Sequence, residues 1–287
     1  MDAVDVVQDF AAAETIFVYA CDSDAIGLPY IRQVASSGGS FDPGQAYAPA
    51  SYSNVDEIAR RTIEAEYGRQ RGEEFSKFDF GAGDSLNLTQ AIAATVRMDG
   101  SYVEVGCFNG SSACVALAYM RERAMLRDCY FLDCFSGFTY EAARNSADFM
   151  WSDTHASNGI DKMRQCIEAS AGPSFGLCAY VEQLNIITDE LPALIGTIAV
   201  ANIDADLYEA VLAALQKVSA HICVGGIIVV EDAGHTPALI GSRLALEEFL
   251  ATPQASAFVP VYLESGQTFL VNTGVAPLAT RTFGSGA

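Results

Sequence analysis

Near the carboxyl end, two short apolar stretches at 257–263 and 268–272 are separated only by Glu264-Ser265-Gly266-Gln267. A connection that tight makes its two strands antiparallel. Upstream the pattern differs. Continuous apolar stretches at 102–105, 129–133, 176–181, 197–203 and 222–230 are separated by segments with helical spacing, at 111–123, 207–220 and 239–250, after a first helix at 86–98. Strands that are apolar on both faces and joined through helices form a parallel sheet covered on both sides. The chain is thereby confined to the α/β class: a doubly wound, Rossmann-like sheet that finishes in a C-terminal antiparallel hairpin.

The composition changes near residue 80. Before it the chain is irregular, with loop signals at Ser36-Ser37-Gly38-Gly39-Ser40 and Pro43-Gly44 and one helix over 55–70, capped by Ser53 or Asn54. Residues 1–80 therefore read as a mostly helical and irregular segment, acting as a lid on the acceptor side or as a homo-oligomer contact, and residues 81–287 as the domain that carries the sheet. The stretch 134–176 holds helical pieces and loop.

Sixteen basic and 36 acidic residues give a net charge of -20. That balance argues against nucleic acid and against anionic membrane surfaces as partners. Solubility accounts for most of the acidity; a group of carboxylates around a cation is the sharper reading and is compatible with it. None of the eight cysteines forms a Cys-x-x-Cys pair, and several lie in apolar runs. They read as small buried hydrophobes in a reduced, cytoplasmic protein. No basic residue precedes Arg32, unlike a signal peptide, and no apolar run approaches the roughly 20 residues that span a bilayer.

The segment Tyr102-Val103-Glu104-Val105-Gly106-Cys107-Phe108-Asn109-Gly110-Ser111-Ser112 reads as strand, turn and helix start. Gly106 allows the sharp turn, Gly110 allows close approach to the helix N-terminus, and Ser111 or Ser112 can cap it. Many nucleotide-binding folds share such a turn. Two features narrow it: the third glycine of a dinucleotide fingerprint is missing, and Glu104 supplies a carboxylate for an amino group. The next strand ends in Asp133, placed to accept both ribose hydroxyls of an adenosine. NAD would satisfy Asp133 equally. Glu104 and the terminal hairpin, which is the arrangement of class I methyltransferases, tip the choice to S-adenosylmethionine.

Two later strands end in Asp204-Ala205-Asp206 and in Glu231-Asp232-Ala233-Gly234-His235. Parallel neighbours present these ends at one edge, strands about 4.8 Å apart. Four carboxylates gathered there need a neutraliser, and Mg²⁺ or a similar divalent cation is the natural one. Asp206 has an alternative as an N-cap for the helix over 207–220. His235 is a candidate base in a loop, and His155 and His221 have weaker claims.

The pieces Tyr-Val-Glu-Val-Gly at 102–106, Asp-Cys-Phe-Ser-Gly at 133–137, Asp-Ala-Asp-Leu-Tyr-Glu at 204–209 and Gly-Gly-Ile-Ile-Val-Val-Glu-Asp at 225–232 resemble the macrocin O-methyltransferase family. The resemblance covers roughly 80–250. It implies a S-adenosylmethionine-dependent, Mg²⁺-dependent O-methyltransferase acting on a hydroxyl of a sugar or other natural-product acceptor. It further implies a metal held by Asp204, Glu231 and Asp232, Asp206 as general base, and cofactor contacts from Glu104, Gly106, Asn109, Gly110, Ser112 and Asp133. The family usually has Asp-Asp where this chain has Glu231-Asp232, so the extra methylene predicts a displaced cation or a Glu231 outside the ligand set. A catechol-type O-methyltransferase is the alternative enzyme, but its usual Asp-Asn pair is replaced here. A non-catalytic adenosine-binding partner is the alternative outside enzymes, and the acidic cluster disfavours it.

Overall fold

The computed structural model describes residues 16–17, 40–41, 56–71, 82–157, 159–171, 178–235 and 239–274. The chain separates into two compact units, Met1–Val55 and Asp56–Ala287. In the first, two two-residue strands, β1 (Ile16–Phe17) and β2 (Ser40–Phe41), pair in parallel.

The second unit is built on a seven-stranded sheet: β3 (Ser101–Val105), β4 (Cys129–Asp133), β5 (Ala179–Gln183), β6 (Ile198–Ile203), β7 (Ile222–Val230), β8 (Phe258–Tyr262) and β9 (Thr268–Asn272). Their spatial order is β5-β4-β3-β6-β7-β9-β8. All neighbours are parallel except β9, which runs antiparallel to both β7 and β8. The hairpin expected from the Ser-Gly turn is therefore β8–β9, inserted so that its second strand reaches β7.

Seven helices flank the sheet among the described residues: α1 (Glu57–Arg71), α2 (Ala82–Ala94), α3 (Ser111–Glu122), α4 (Glu141–Asn145), α5 (Ile160–Ala171), α6 (Tyr208–Ser219) and α7 (Gly241–Leu250). One sheet face buries Val103, Leu132, Ile203 and Ile228 with Leu215 and Phe249 from α6 and α7. The other buries Tyr102, Phe131, Val200 and Val229 with Leu88 of α2 and Leu117 of α3. Each fully buried aliphatic or aromatic side chain contributes about 1.5–3 kcal/mol, so the strands are committed on both faces, as their unbroken apolar runs require. No helix among the described residues is long and apolar enough to cross a membrane.

Several boundaries differ from the sequence expectation. Helix α2 occupies 82–94 and not 86–98. The Thr95 hydroxyl donates back to the carbonyls of Ala91 and Ile92, and the chain then closes three-residue turns at Val96 and Met98; a side chain that competes for helix carbonyls at this point ends the helix. Strand β5 begins at Ala179, with residues 172–177 outside the described set. The cap of α1 is Asp56, whose Oδ1 accepts from the N–H groups of Ile58 and Ala59 at 3.1 Å each; Ser53 and Asn54 lie outside the described residues. Helix α1 belongs with the sheet-bearing unit: Ala59 and Ile63 are buried, and Asp56 Oδ2 accepts from Tyr119 and Arg123 of the α3 region at 2.7 and 2.5 Å. The described residues of the stretch 134–176 form α4, a 3₁₀ turn at Phe149–Trp151, and α5.

Candidate active site

The strand order reverses between β3 and β6, and the crevice at the carboxyl ends of such strands is where α/β sheets bind ligands. Gly106 makes the crevice possible. It has φ +89°, and a Cβ there would lie 1.8 Å from the carbonyl oxygen of Asp204, so only glycine lets the β3 turn cross the end of β6. The ladder continues past the strands: Asp204 N–H donates to Val105 O at 2.9 Å, and Glu231 N–H donates to Ile203 O at 3.0 Å. These bonds set the two acidic strand ends at one level.

The walls of the resulting open cleft include Gly106, Phe108, Asp133, Ile186, Asp204 and Asp206. Asp133 organises one wall. Its Oδ2 accepts from Phe108 N–H at 2.7 Å and its Oδ1 from Phe135 N–H at 2.6 Å. Phe108 and Phe135 both have positive φ, 43° and 57°, which a side chain adopts at a cost on the order of 1–3 kcal/mol when the surroundings hold it. One carboxylate thus pins two strained residues, and burial pushes its pKa up against those two amides.

Asp206 has φ +54°, so the N-cap reading is corrected: the cap position of α6 is Leu207, without a side-chain bond, and the left-handed turn directs Asp206 elsewhere. Ligand atoms of Asp204, Asp206 and Asp232 lie within 4.8 Å of one another, and so do those of Glu231, Asp232 and His235. The cluster is therefore two groups that share Asp232. Among the described residues, its one ion pair is with His235, whose Nδ1 lies 2.7 Å from Asp232 Oδ1. Burial, reinforced by the neighbouring carboxyls, pushes Asp204, Asp206 and Glu231 well above the ordinary range. For Asp232, burial is the largest influence and acts in the same direction, but the hydrogen bonds with His235, Glu231 and Asp206 and the charge of His235 together outweigh it and hold the carboxyl below its usual value. His235 is raised by its bond with Asp232. The carboxyls of Asp206 and Glu231 reach Asp232 as hydrogen-bond partners only while they keep a proton; with all four ionised, the buried Oδ2 of Asp232 has no donor. An orphaned oxygen among three oxygen-bearing neighbours fits a divalent cation.

Of the sequence-predicted cofactor contacts, Gly106 and Asp133 line the cleft. Glu104 is fully buried beneath it, its Oε1 accepting from Ser112 at 2.6 Å and its Oε2 from Tyr102 at 2.5 Å. Ser112 thus serves Glu104 and not the helix cap; that position is Gly110, with φ +87°. The close approach expected at Gly110 is made by Met163 of α5, whose sulfur would lie 2.3 Å from an added Cβ. Asn109 is half-buried in the same turn.

Two residues, Asp84 and Asp148, had no clear sequence signal. Asp84, in the first turn of α2, adds its charge to those acting on Asp204, Glu231 and His235. Asp148 is buried and ties the loop after α4 to the start of α7. His155, with φ +60°, lines the cleft among the rings of Phe108, Phe138 and Trp151, at centroid distances of 5.6, 4.8 and 5.9 Å; burial lowers its pKa. His221 contacts the Gly196 carbonyl instead.

A doubly wound sheet closed by an antiparallel strand, with its cleft at the β3–β6 switch, defines the Rossmann-like class I O-methyltransferase fold. The sequence profile of the Macrocin-O-methyltransferase (TylF) family matches residues 51–257, and the chain belongs to that family; it is an O-methyltransferase. Among solved structures it is similar to the O-methyltransferase NovP, with 17% identity, 77% of this chain and 100% of that one covered, and a TM-score of 0.61. It is also similar to the calicheamicin methyltransferase CalS11, with 14% identity, 77% and 94% covered, and a TM-score of 0.56. At these identities the likeness is one of fold. Comparison with curated proteins gave no match.

Proposed function

We propose that this chain transfers the methyl group of S-adenosylmethionine to a hydroxyl of a small natural product, with a sugar as the acceptor class, and that it works in the cytoplasm with a divalent cation, Mg²⁺ in the first instance. The observation that carries this reading is the buried Asp232 Oδ2, without a donor, among Asp204, Asp206 and Glu231 at the edge of the cleft. The sugar rests on the family and on the name of a neighbour, a TDP-rhamnose 3'-O-methyltransferase.

In this reading Asp133 takes the ribose hydroxyls with its remaining lone pairs, while the Gly106 turn and the Asn109–Ser112 segment receive the methionine end. Glu104 acts from below, holding Ser112 and so the first turn of α3. Asp204, Glu231 and Asp232 would hold the cation, which when bound lowers the pKa of the acceptor hydroxyl. Asp206 lines the cleft beside that site and takes the hydroxyl proton. The acceptor oxygen forms its bond to the methyl carbon as the carbon–sulfur bond breaks, and S-adenosylhomocysteine leaves. Positioning of two substrates supplies much of the acceleration. The pairing of His235 Nδ1 with Asp232 leaves Asp206 as the better base of the two.

Calorimetry with S-adenosylhomocysteine and with NAD tests the cofactor assignment. Binding of the first and not the second is expected; NAD binding without S-adenosylhomocysteine binding would contradict it.

A further inference from the structure

His235 stands apart from the family's oxygen ligands. It follows the 3₁₀ turn Asp232–Gly234, which brings its N–H to within 3.1 Å of Asp232 O and its ring Nδ1 to within 2.7 Å of Asp232 Oδ1. The ring is held from the other side by the β8–β9 turn: a Cβ on Gly266 would meet His235 Cδ2 at 3.1 Å, and Gly234 packs against Gly266. The ring is thus held in place beside Asp232 while its side chain stays 42% exposed. Its nitrogen, one Glu231 oxygen and one Asp232 oxygen already lie within 4.8 Å of one another. The second, independent observation is the Oδ2 of Asp232, which is 7% exposed as a residue and has no donor.

We propose that His235 is a nitrogen ligand of the cation, completing a two-carboxylate, one-imidazole set with Glu231 and Asp232, and that the site consequently favours a first-row transition ion such as Mn²⁺ or Co²⁺ over Mg²⁺. This rests on the proposed function's cation and changes its coordination. Imidazole is a borderline donor suited to transition ions, whereas Mg²⁺ takes oxygen ligands and keeps its waters. The Nδ1 proton now shared with Asp232 leaves to solvent as the ion enters. Glu231, longer by a methylene than the family's usual residue, is the carboxylate grouped with the imidazole, while Asp204 groups with Asp206 and Asp232.

Pulsed electron paramagnetic resonance on the full chain loaded with Mn²⁺ alone tests this directly. The expected result is a nitrogen-14 modulation from one directly bound imidazole. In His235→Gln that modulation disappears. Titration calorimetry gives the second readout. Mn²⁺ binds oxygen sites somewhat more tightly than Mg²⁺ in any case, so the diagnostic is the gap between the two ions, which should narrow by about tenfold or more in the variant. Mn²⁺ bound to the parent without nitrogen coupling would overturn the ligand assignment and leave the proposed function standing. Failure of the parent to bind Mn²⁺ at all would overturn both, and neither result depends on the variant folding.

Discussion

The carboxylate of Asp148 caps the start of α7 from 93 residues away, its Oδ2 accepting the N–H of Gly241 at 2.5 Å while its Oδ1 accepts from Ile240 at 2.9 Å. An added Cβ on Gly241 would lie 2.6 Å from both Asp148 Oδ2 and Tyr208 N. The loop after α4, the start of α6 and the start of α7 thus converge on one point, just behind the two acidic strand ends. Asp148→Ala should lower stability by about 1–3 kcal/mol, the range for losing a cap and leaving buried donors unpaired. Cation affinity should fall with it, because the spacing between Asp206 and Asp232 loses its brace. Thermal unfolding and cation titration check both; Asp148→Asn should recover part of each.

Asp206→Asn is expected to leave cofactor and cation binding in place and lower kcat by roughly 10²–10⁴-fold, the usual range for a lost general base. Asn tolerates the left-handed conformation that position 206 adopts, so a folding defect should not intervene. Single-turnover rates on the loaded enzyme measure it, and a variant as fast as the parent would remove Asp206 from the proton transfer.

Glu104 links pH to stability. Burial pushes its carboxyl from the ordinary 4.5 up to about 7. Between those values the folded chain keeps a proton that the unfolded chain releases, so stability falls as pH rises through this window and the loss is complete above it. At about 1.4 kcal/mol per unit the full effect is on the order of 3 kcal/mol. Glu104→Gln keeps an acceptor for Ser112 and should flatten that part of the profile relative to the parent. Denaturant midpoints at pH 5 and pH 8 read the difference; identical slopes would mean that Glu104 is ionised throughout.

Shortening the chain separates the two units. A chain beginning at Asp56 should bind cofactor and lose methyl transfer if the first segment serves the acceptor. Cutting at residue 80 also removes α1, with its buried Ala59 and Ile63, and should cost several kcal/mol of stability. Normal turnover by the first truncation would show the N-terminal segment to be dispensable.

The sheet was legible because its central strands are buried on both faces and so carry unbroken apolar runs. The meeting of Asp204, Asp206, Glu231 and Asp232 was legible for a related reason: parallel strands end at a common edge, so residues far apart in sequence share it. What the sequence concealed is local conformation and long-range capping. Nothing near Asp206 announces a left-handed backbone, and nothing near Asp148 points to amides 92 and 93 residues on. The engagement of Glu104 was partly available, since Tyr102 lies two residues earlier on the same strand face and bonds it. The placement of His235 was not, because it depends on the β8–β9 turn passing beside its ring.

The central claim is methyl transfer from S-adenosylmethionine supported by the acidic edge. Its most direct test is incubation of the full chain with methyl-labelled S-adenosylmethionine and a panel of glycosylated hydroxyl acceptors, with and without chelator, followed by intact-mass detection of a labelled product one methyl group heavier. The account predicts product with a divalent cation present, none in chelator, recovery when the cation is restored, and none from Asp232→Asn under any of these conditions. Undiminished transfer in chelator by both the parent and Asp232→Asn would contradict it.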